Sequence, residues 1–402
     1  MPKFDKSRLL LMYVLFGTIF LFGFLESIKG VSYPLIKNEF GVSYETWAVI
    51  VSSLSFSYTV FIIISGFLLN RIRVKGIFFF SLILCFLSVI TIYFMPSLWT
   101  VALSLMFLFS GFGIAEIAVN AVAAQIFVTK TALMMNLLHF LYGFGSIVGP
   151  KAAGILANPA GIGMPWRKIY LIFFPLVLII FIPFIFTKFP ESAKNETKNN
   201  ETQETGNLTE KHNLISALKI PSVWAFGITL GIGMGIELAP ANWGSLYFQD
   251  LFDMDPTTSG ANFVSSYYLF FTFSRLVSGF IIEKTGYLRS LTWAVIISTI
   301  IFAVGFVLGP TGIYVLPALG FFLAVIWPTV MAIAIGHYGS NAPINTSAII
   351  AIAGLFNTGV QFTIGYINHW AGPGWGYRSC FVFAIILIGI LLGFRKTMGK
   401  KN

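Results

Sequence analysis

LLLMYVLFGTIFLFGFLESIKGVSYPLI, residues 9–36, is the stretch that decides the fold. It is longer than the roughly 20 helical residues that cross a hydrocarbon core about 30 Å thick. Lys3, Lys6 and Arg8 precede it, as they would in a secretory leader. No small-residue cleavage site follows, and Glu26 and Lys29 lie inside the run, so it reads as a first span retained in the protein. A carboxylate at membrane depth is costly and is rarely kept without a use.

Eleven more runs of this kind follow. The expected spans are 9–36, 44–69, 76–95, 98–127, 133–156 and 168–188, then 221–250, 258–283, 288–309, 311–337, 345–369 and 374–394. The composition agrees. Of 402 residues 57% are hydrophobic and only 10% charged, against about a quarter charged in soluble domains. Mean hydropathy is +0.85. The reading is an all-α membrane protein seated in the lipid bilayer.

The net charge of +10 does not point to nucleic acid, because the basic residues lie in short loops and tails. Counted across those loops, Lys and Arg favour both termini on the cytoplasmic side of the plasma membrane. Cys85 and Cys380 fall in apolar runs, so no disulfide or metal framework is expected. G-x-x-x-x-G-K-[ST] is absent, which argues against nucleotide hydrolysis as the energy source. No nucleophile–base pair stands out, so the chain does not read as an enzyme. No cofactor is expected beyond protons as the coupling ion.

Residues 189–220 form the one long polar stretch, rich in Asn, Glu, Lys and Thr. It reads as a cytoplasmic linker between residues 1–188 and 221–402, six spans each. The two halves echo each other. Val51-Ser52-Ser53 recurs as Val264-Ser265-Ser266, and Ser65-Gly66-Phe67 as Ser278-Gly279-Phe280, at one common offset. Glu26 and Glu237 then hold nearly equivalent places in spans 1 and 7. Duplicated halves around a midplane cavity are a common transporter plan.

The loops after spans 2 and 8 read GFLLNRIRVKG (66–76) and GFIIEKTGYLR (279–289). Both resemble the G-x-x-x-D-R-x-G-R-[KR] signature of the major facilitator superfamily. Asn70 replaces the acid in the first, and Glu283 with Lys284 stand in the second. The resemblance implies two pseudo-symmetric six-helix bundles that rock about a central site, usually as a monomer. It also implies a latch or gate at these loops, for which Arg71, Arg275 and Glu283 are the candidates. GFGIAEIAVNA (111–121), NLLHFLYGFGSIVGP (136–150) and GIELAPANW (235–243) resemble segments of the fucose/glucose–proton symporter group. GFGSIVGPKAAG (143–154) resembles the fifth-helix signature of drug–proton antiporters as well.

Glu26, Glu116 and Glu237 are the candidate proton-coupling residues. A carboxyl group shielded from water protonates more readily, so a membrane-depth acid can load and release a proton as access alternates. Asn120 lies one turn after Glu116 on the same face. Around Pro240, Asn242 and Trp243 follow Glu237; a straight helix would separate Glu237 from Asn242 by about 140°. Asn357 and Gln361 share a face of span 11. His139 shares a face with Asn136 and Gly143 in span 5. These residues, Asn120, Asn242, Trp243, Asn357, Gln361 and His139, are the candidate binding set for a small-molecule solute. Blander readings stand beside them: a closed Glu26–Lys29 pair, an interfacial His139 or Trp243, and amides that merely join helices. The expected activity is proton-coupled symport of a small neutral solute such as a hexose. The alternative is proton-driven export of hydrophobic or cationic compounds.

Overall fold

The structure, a computed structural model, describes residues 6–69, 71–127, 131–189 and 214–398. Most of the expected linker and Asn70 of the first loop signature lie outside these residues.

Among the described residues, twelve helical crossings build the molecule. Span 1 is two helices, Lys6–Ser27 and Lys29–Phe40, broken beside Glu26 and Lys29. Spans 2 to 5 are Tyr44–Leu68, Val74–Phe94, Leu98–Ile126 and Thr131–Ala157. Span 6 is Trp166–Ile172 continued by Phe174–Phe186. Span 7 runs through Pro221–Ala239 and Ser245–Phe252, and span 8 is Ala261–Thr285. Span 9 is Tyr287–Val307. Span 10 enters through 3₁₀ turns and continues as Leu319–Leu323 and Ile326–Tyr338. Span 11 is Ala342–Ala371, and span 12 is Trp375–Arg378 with Cys380–Met398. Among the described residues there is no strand. Ten stretches there meet the apolar length of a crossing, and Gly309–Ala371 holds two crossings at once. Span 8, with Arg275 and its polar neighbours, is less apolar, and packing carries it across.

Local chemistry sets the ends. In hydrocarbon every backbone polar group must pair inside the helix, so the boundaries need caps. Ser43 accepts from the Thr46 N–H to start span 2, and Ser97 and Thr100 cap span 4 reciprocally. Gly41, at φ 59°, ends span 1 in the left-handed conformation that glycine adopts without strain. Span 7 passes Pro240 through a π-helical segment, Pro240–Gly244. Proline has no N–H to give, and the ladder steps to i→i+5 spacing while the helix continues.

Within the first bundle span 1 packs on span 5, and span 4 on spans 2 and 3. Within the second, span 7 packs on span 11 and span 9 on span 12. Two seams join the bundles: span 5 against span 8, and span 2 against span 11. The internal repeat exchanges these seams, since it relates span 2 to span 8 and span 5 to span 11. Small residues make the close approach possible. Gly143 leaves no room for a Cβ beside Thr272, and Gly354 leaves none beside Thr59. Gly145 and Gly149 press on the backbone of Phe20 and Phe24. The glycine string shared with antiporters therefore serves helix packing here.

With twelve crossings the first and last described helix ends, Lys6 and Met398, lie on one face, the face of the termini. On the opposite, far face the bundles meet through polar contacts. Lys37 Nζ lies 3.3 Å from Asp250 Oδ2, Tyr44 donates to the same carboxylate, and His369 Nε2 lies 3.6 Å from Glu45.

Candidate solute and proton site

The acids of both bundles converge near the middle of the molecule. Glu26 stands at the break in span 1, where Lys29 reaches its Oε1 at 2.9 Å. Tyr142 of span 5 donates to its Oε2 at 2.7 Å. The internal pair of the blander reading is present in this conformation, with a tyrosine as a second partner. Tyr268 of span 8 lies close to both Glu26 and Tyr142, so the group around Glu26 reaches the seam between bundles.

Glu116 accepts a hydrogen bond from Tyr58 of span 2. Gly113, one turn earlier, lets the Tyr58 backbone come close enough for this. Asn120 follows one turn later, half-buried. Glu237 is half-buried in span 7, and its Oε2 has no hydrogen-bond partner. Its backbone carbonyl accepts from Tyr267 at 2.6 Å. Glu26 lies close enough to Glu116 and to Glu237 for its charge to act on each, and Arg275 acts on both of them too.

The amides form one hub. Gln361 Oε1 accepts from Asn242 Nδ2 at 2.9 Å and from Trp243 Nε1 at 2.8 Å, while Gln361 Nε2 donates to the Gly235 carbonyl at 3.0 Å. The π-helical segment places Asn242 and Trp243 together over span 11. Trp243 is 1% exposed and its ring abuts Gly365, so it is a packed core residue in this conformation and offers no free face. The buried carbonyl oxygens of Asn242 and Asn357 have no partner. Together with Glu237 Oε2 they leave three buried acceptors open to a ligand that donates hydrogen bonds.

The remaining candidates lie toward the face of the termini. His139 is exposed there, its Nδ1 3.4 Å from Arg275 Nη1. Arg275 stacks over Phe271 with 4.6 Å to the ring centroid. It makes no ion pair with Glu283 in this state, because the two lie more than two helical turns apart on span 8. Arg71 is exposed in the turn after span 2. Lys37, Asp250, Tyr58, Tyr142 and Tyr268 escaped the sequence reading. The placement of Lys37 and Asp250 at equivalent positions of the repeat was a usable signal; the tyrosines gave none.

No curated protein matches the sequence. Among solved structures, the crystal structure of a major facilitator superfamily transporter, FucP, in the outward conformation is similar at a TM-score of 0.62. The two share 17% identity over 96% of this chain and 99% of that one, a likeness that speaks for the fold. The description Major Facilitator Superfamily matches residues 15–343. Matched over most of its length and sharing that fold from end to end, the chain belongs to the major facilitator superfamily of transporters.

Proposed function

We propose that this chain carries a small polyhydroxylated solute of hexose size together with protons across the plasma membrane, by alternating access, with both termini in the cytoplasm. The observation that carries the reading is Glu26 standing within charge range of Glu116 in its own bundle and of Glu237 in the other, with an amide hub on spans 7 and 11. Acids on both sides of the moving interface can couple protonation to rocking. Hydroxyl groups of a sugar would satisfy the open oxygens of Asn242, Asn357 and Glu237. Lys and Arg bias supports the orientation. In that orientation the polar contacts of the far face close the outer side, and this conformation is the inward-facing state of the proposed cycle.

Export of hydrophobic cations is the second reading. The Glu237 carboxylate favours it, while the amide hub favours the sugar.

Proteoliposomes loaded with a pH-sensitive dye test the proposal. Adding a sugar panel outside should acidify the lumen for one sugar class. Glu116→Gln and Glu237→Gln should abolish that signal. Normal uphill transport in both variants would refute proton coupling through these acids. Proton movement driven only by organic cations would install the exporter instead.

A further inference from the structure

A cavity of about 270 Å³ lies between spans 5, 8 and 10, toward the face of the termini. Arg275, His139, Asn136, Trp327 and Thr329 line it, with Glu283 as its one acid. Arg275 is the least satisfied cation near the transport site. Its Nε is buried with no partner, and its Nη1 has only the 3.4 Å approach to His139. Among the described residues no carboxylate lies within ion-pair distance of it, although Glu116 and Glu237 feel its charge. Thr329, 2% exposed, also has a hydroxyl without a partner. An unsatisfied buried donor is destabilising, and more so when charged. Two such donors on residues that line one cavity, from spans 8 and 10, point to a ligand.

The chemistry of that ligand follows from the donors. A guanidinium presents planar, paired N–H groups that match two oxygens of a carboxylate or phosphate. The Thr329 hydroxyl and the exposed Asn136 amide can add further donors. The volume falls just below the roughly 300–1,000 Å³ of drug-sized sites, so the ligand is small. We infer that this cavity binds the oxyanion group of a small ligand, with Arg275 as its anchor and Thr329 and Asn136 as supporting donors. The site is separate from the Gln361 hub on spans 7 and 11. It goes beyond the proposed transport of a neutral solute and does not depend on it. The oxyanion belongs either to an acidic sugar or to a free anion on the side of the termini.

Thermal melting of the purified full-length protein tests this without any transport assay. Cys85 and Cys380 are buried free thiols, so a thiol-reactive dye reports unfolding. Sodium D-glucuronate, inorganic phosphate, D-glucose and sodium chloride are compared at matched ionic strength. At least one oxyanion should raise the melting midpoint by a few degrees above the chloride control. Arg275→Gln should remove the shift, and Thr329→Val should weaken apparent binding about tenfold, with Arg275→Lys keeping part of it. A shift by glucuronate alone would identify the acidic sugar as the source; a shift by phosphate would identify a free anion. No oxyanion shift in the unaltered protein would overturn the inference. An equal shift in Arg275→Gln and Thr329→Val would overturn it too. Should Arg275→Gln fail to fold, Thr329→Val alone decides. A glucose shift that survives Arg275→Gln reports the amide hub, so the two proposals fail independently.

Discussion

Lys37 and Asp250 stand 213 residues apart, the offset at which the sequence repeats itself, and their side chains meet at 3.3 Å on the far face. Equivalent positions of a duplicated chain face each other across the pseudo-twofold axis. Identical charges there would repel; a base in one half and an acid in the other hold the halves together. Tyr44 donates to the same carboxylate, and Lys37 lies over its ring at 4.4 Å. The pair is only about one-seventh exposed, at 14% and 15%, so solvent screens it less than a surface bridge.

This pair should bias which face is closed. Lys37→Asp or Asp250→Lys should each lower the population of the far-face-closed state about 5- to 30-fold, equivalent to about 1–2 kcal/mol. The double exchange Lys37→Asp/Asp250→Lys should restore it. Spin labels at Ser43 and Met254, both near the far face, would read the separation. Unchanged distances in the single variants would show that the pair does not hold the closure.

Gln361 is the next target, because one side chain answers three groups. Gln361→Leu strands the Asn242 amide, the Trp243 indole N–H and the Gly235 carbonyl together. Each buried orphan costs about 1–3 kcal/mol. The melting midpoint in the thiol-dye assay should fall steeply, and solute affinity with it. Gln361→Asn, shorter by one methylene, should give an intermediate midpoint. A midpoint equal to that of the unaltered protein would remove the hub from any structural role.

The seams make a steric prediction. Gly143→Val and Gly354→Val push a side chain into Thr272 and Thr59, and should disfavour this arrangement of the bundles. Gly66→Ala and Gly279→Ala, at equivalent places near the loops, meet nothing within 4 Å and serve as controls. The same spin-label pair should report a changed distribution for the first two and none for the second two. Equal behaviour of all four would mean that the seams tolerate more volume than their packing suggests.

Tyr142 tests the link across the seam. Tyr142→Phe leaves the Glu26–Lys29 pair in place but removes the hydroxyl that donates to Glu26 from span 5, next to Tyr268 of the other bundle. If Glu26 couples protonation to rocking, uphill uptake should fall about tenfold or more while solute exchange without a proton gradient continues. Equal losses in both assays would assign Tyr142 to solute binding or folding instead.

Part of this protein is written in its chain directly. Hydrocarbon sets the length of a span and penalises charge inside it, so the runs from 9–36 onward and the acids within them can be read one segment at a time. The repeat is legible for the same reason, as a comparison of the chain with itself. Partners are another matter. Glu116 with Tyr58, Glu26 with Tyr142, Gln361 with Asn242 and Arg275 with His139 join residues 58, 116, 119 and 136 positions apart. Helical periodicity orders neighbours within a turn or two and says nothing about which faces of separate helices meet. The π-helical segment after Ala239 turned Trp243 into the core, and packing of span 8 against span 5 set Arg275 beside His139 rather than Glu283. The sequence determined the spans, their acids and their duplication. Only the tertiary structure decided the pairings, because contacts between distant helices depend on how all twelve pack at once.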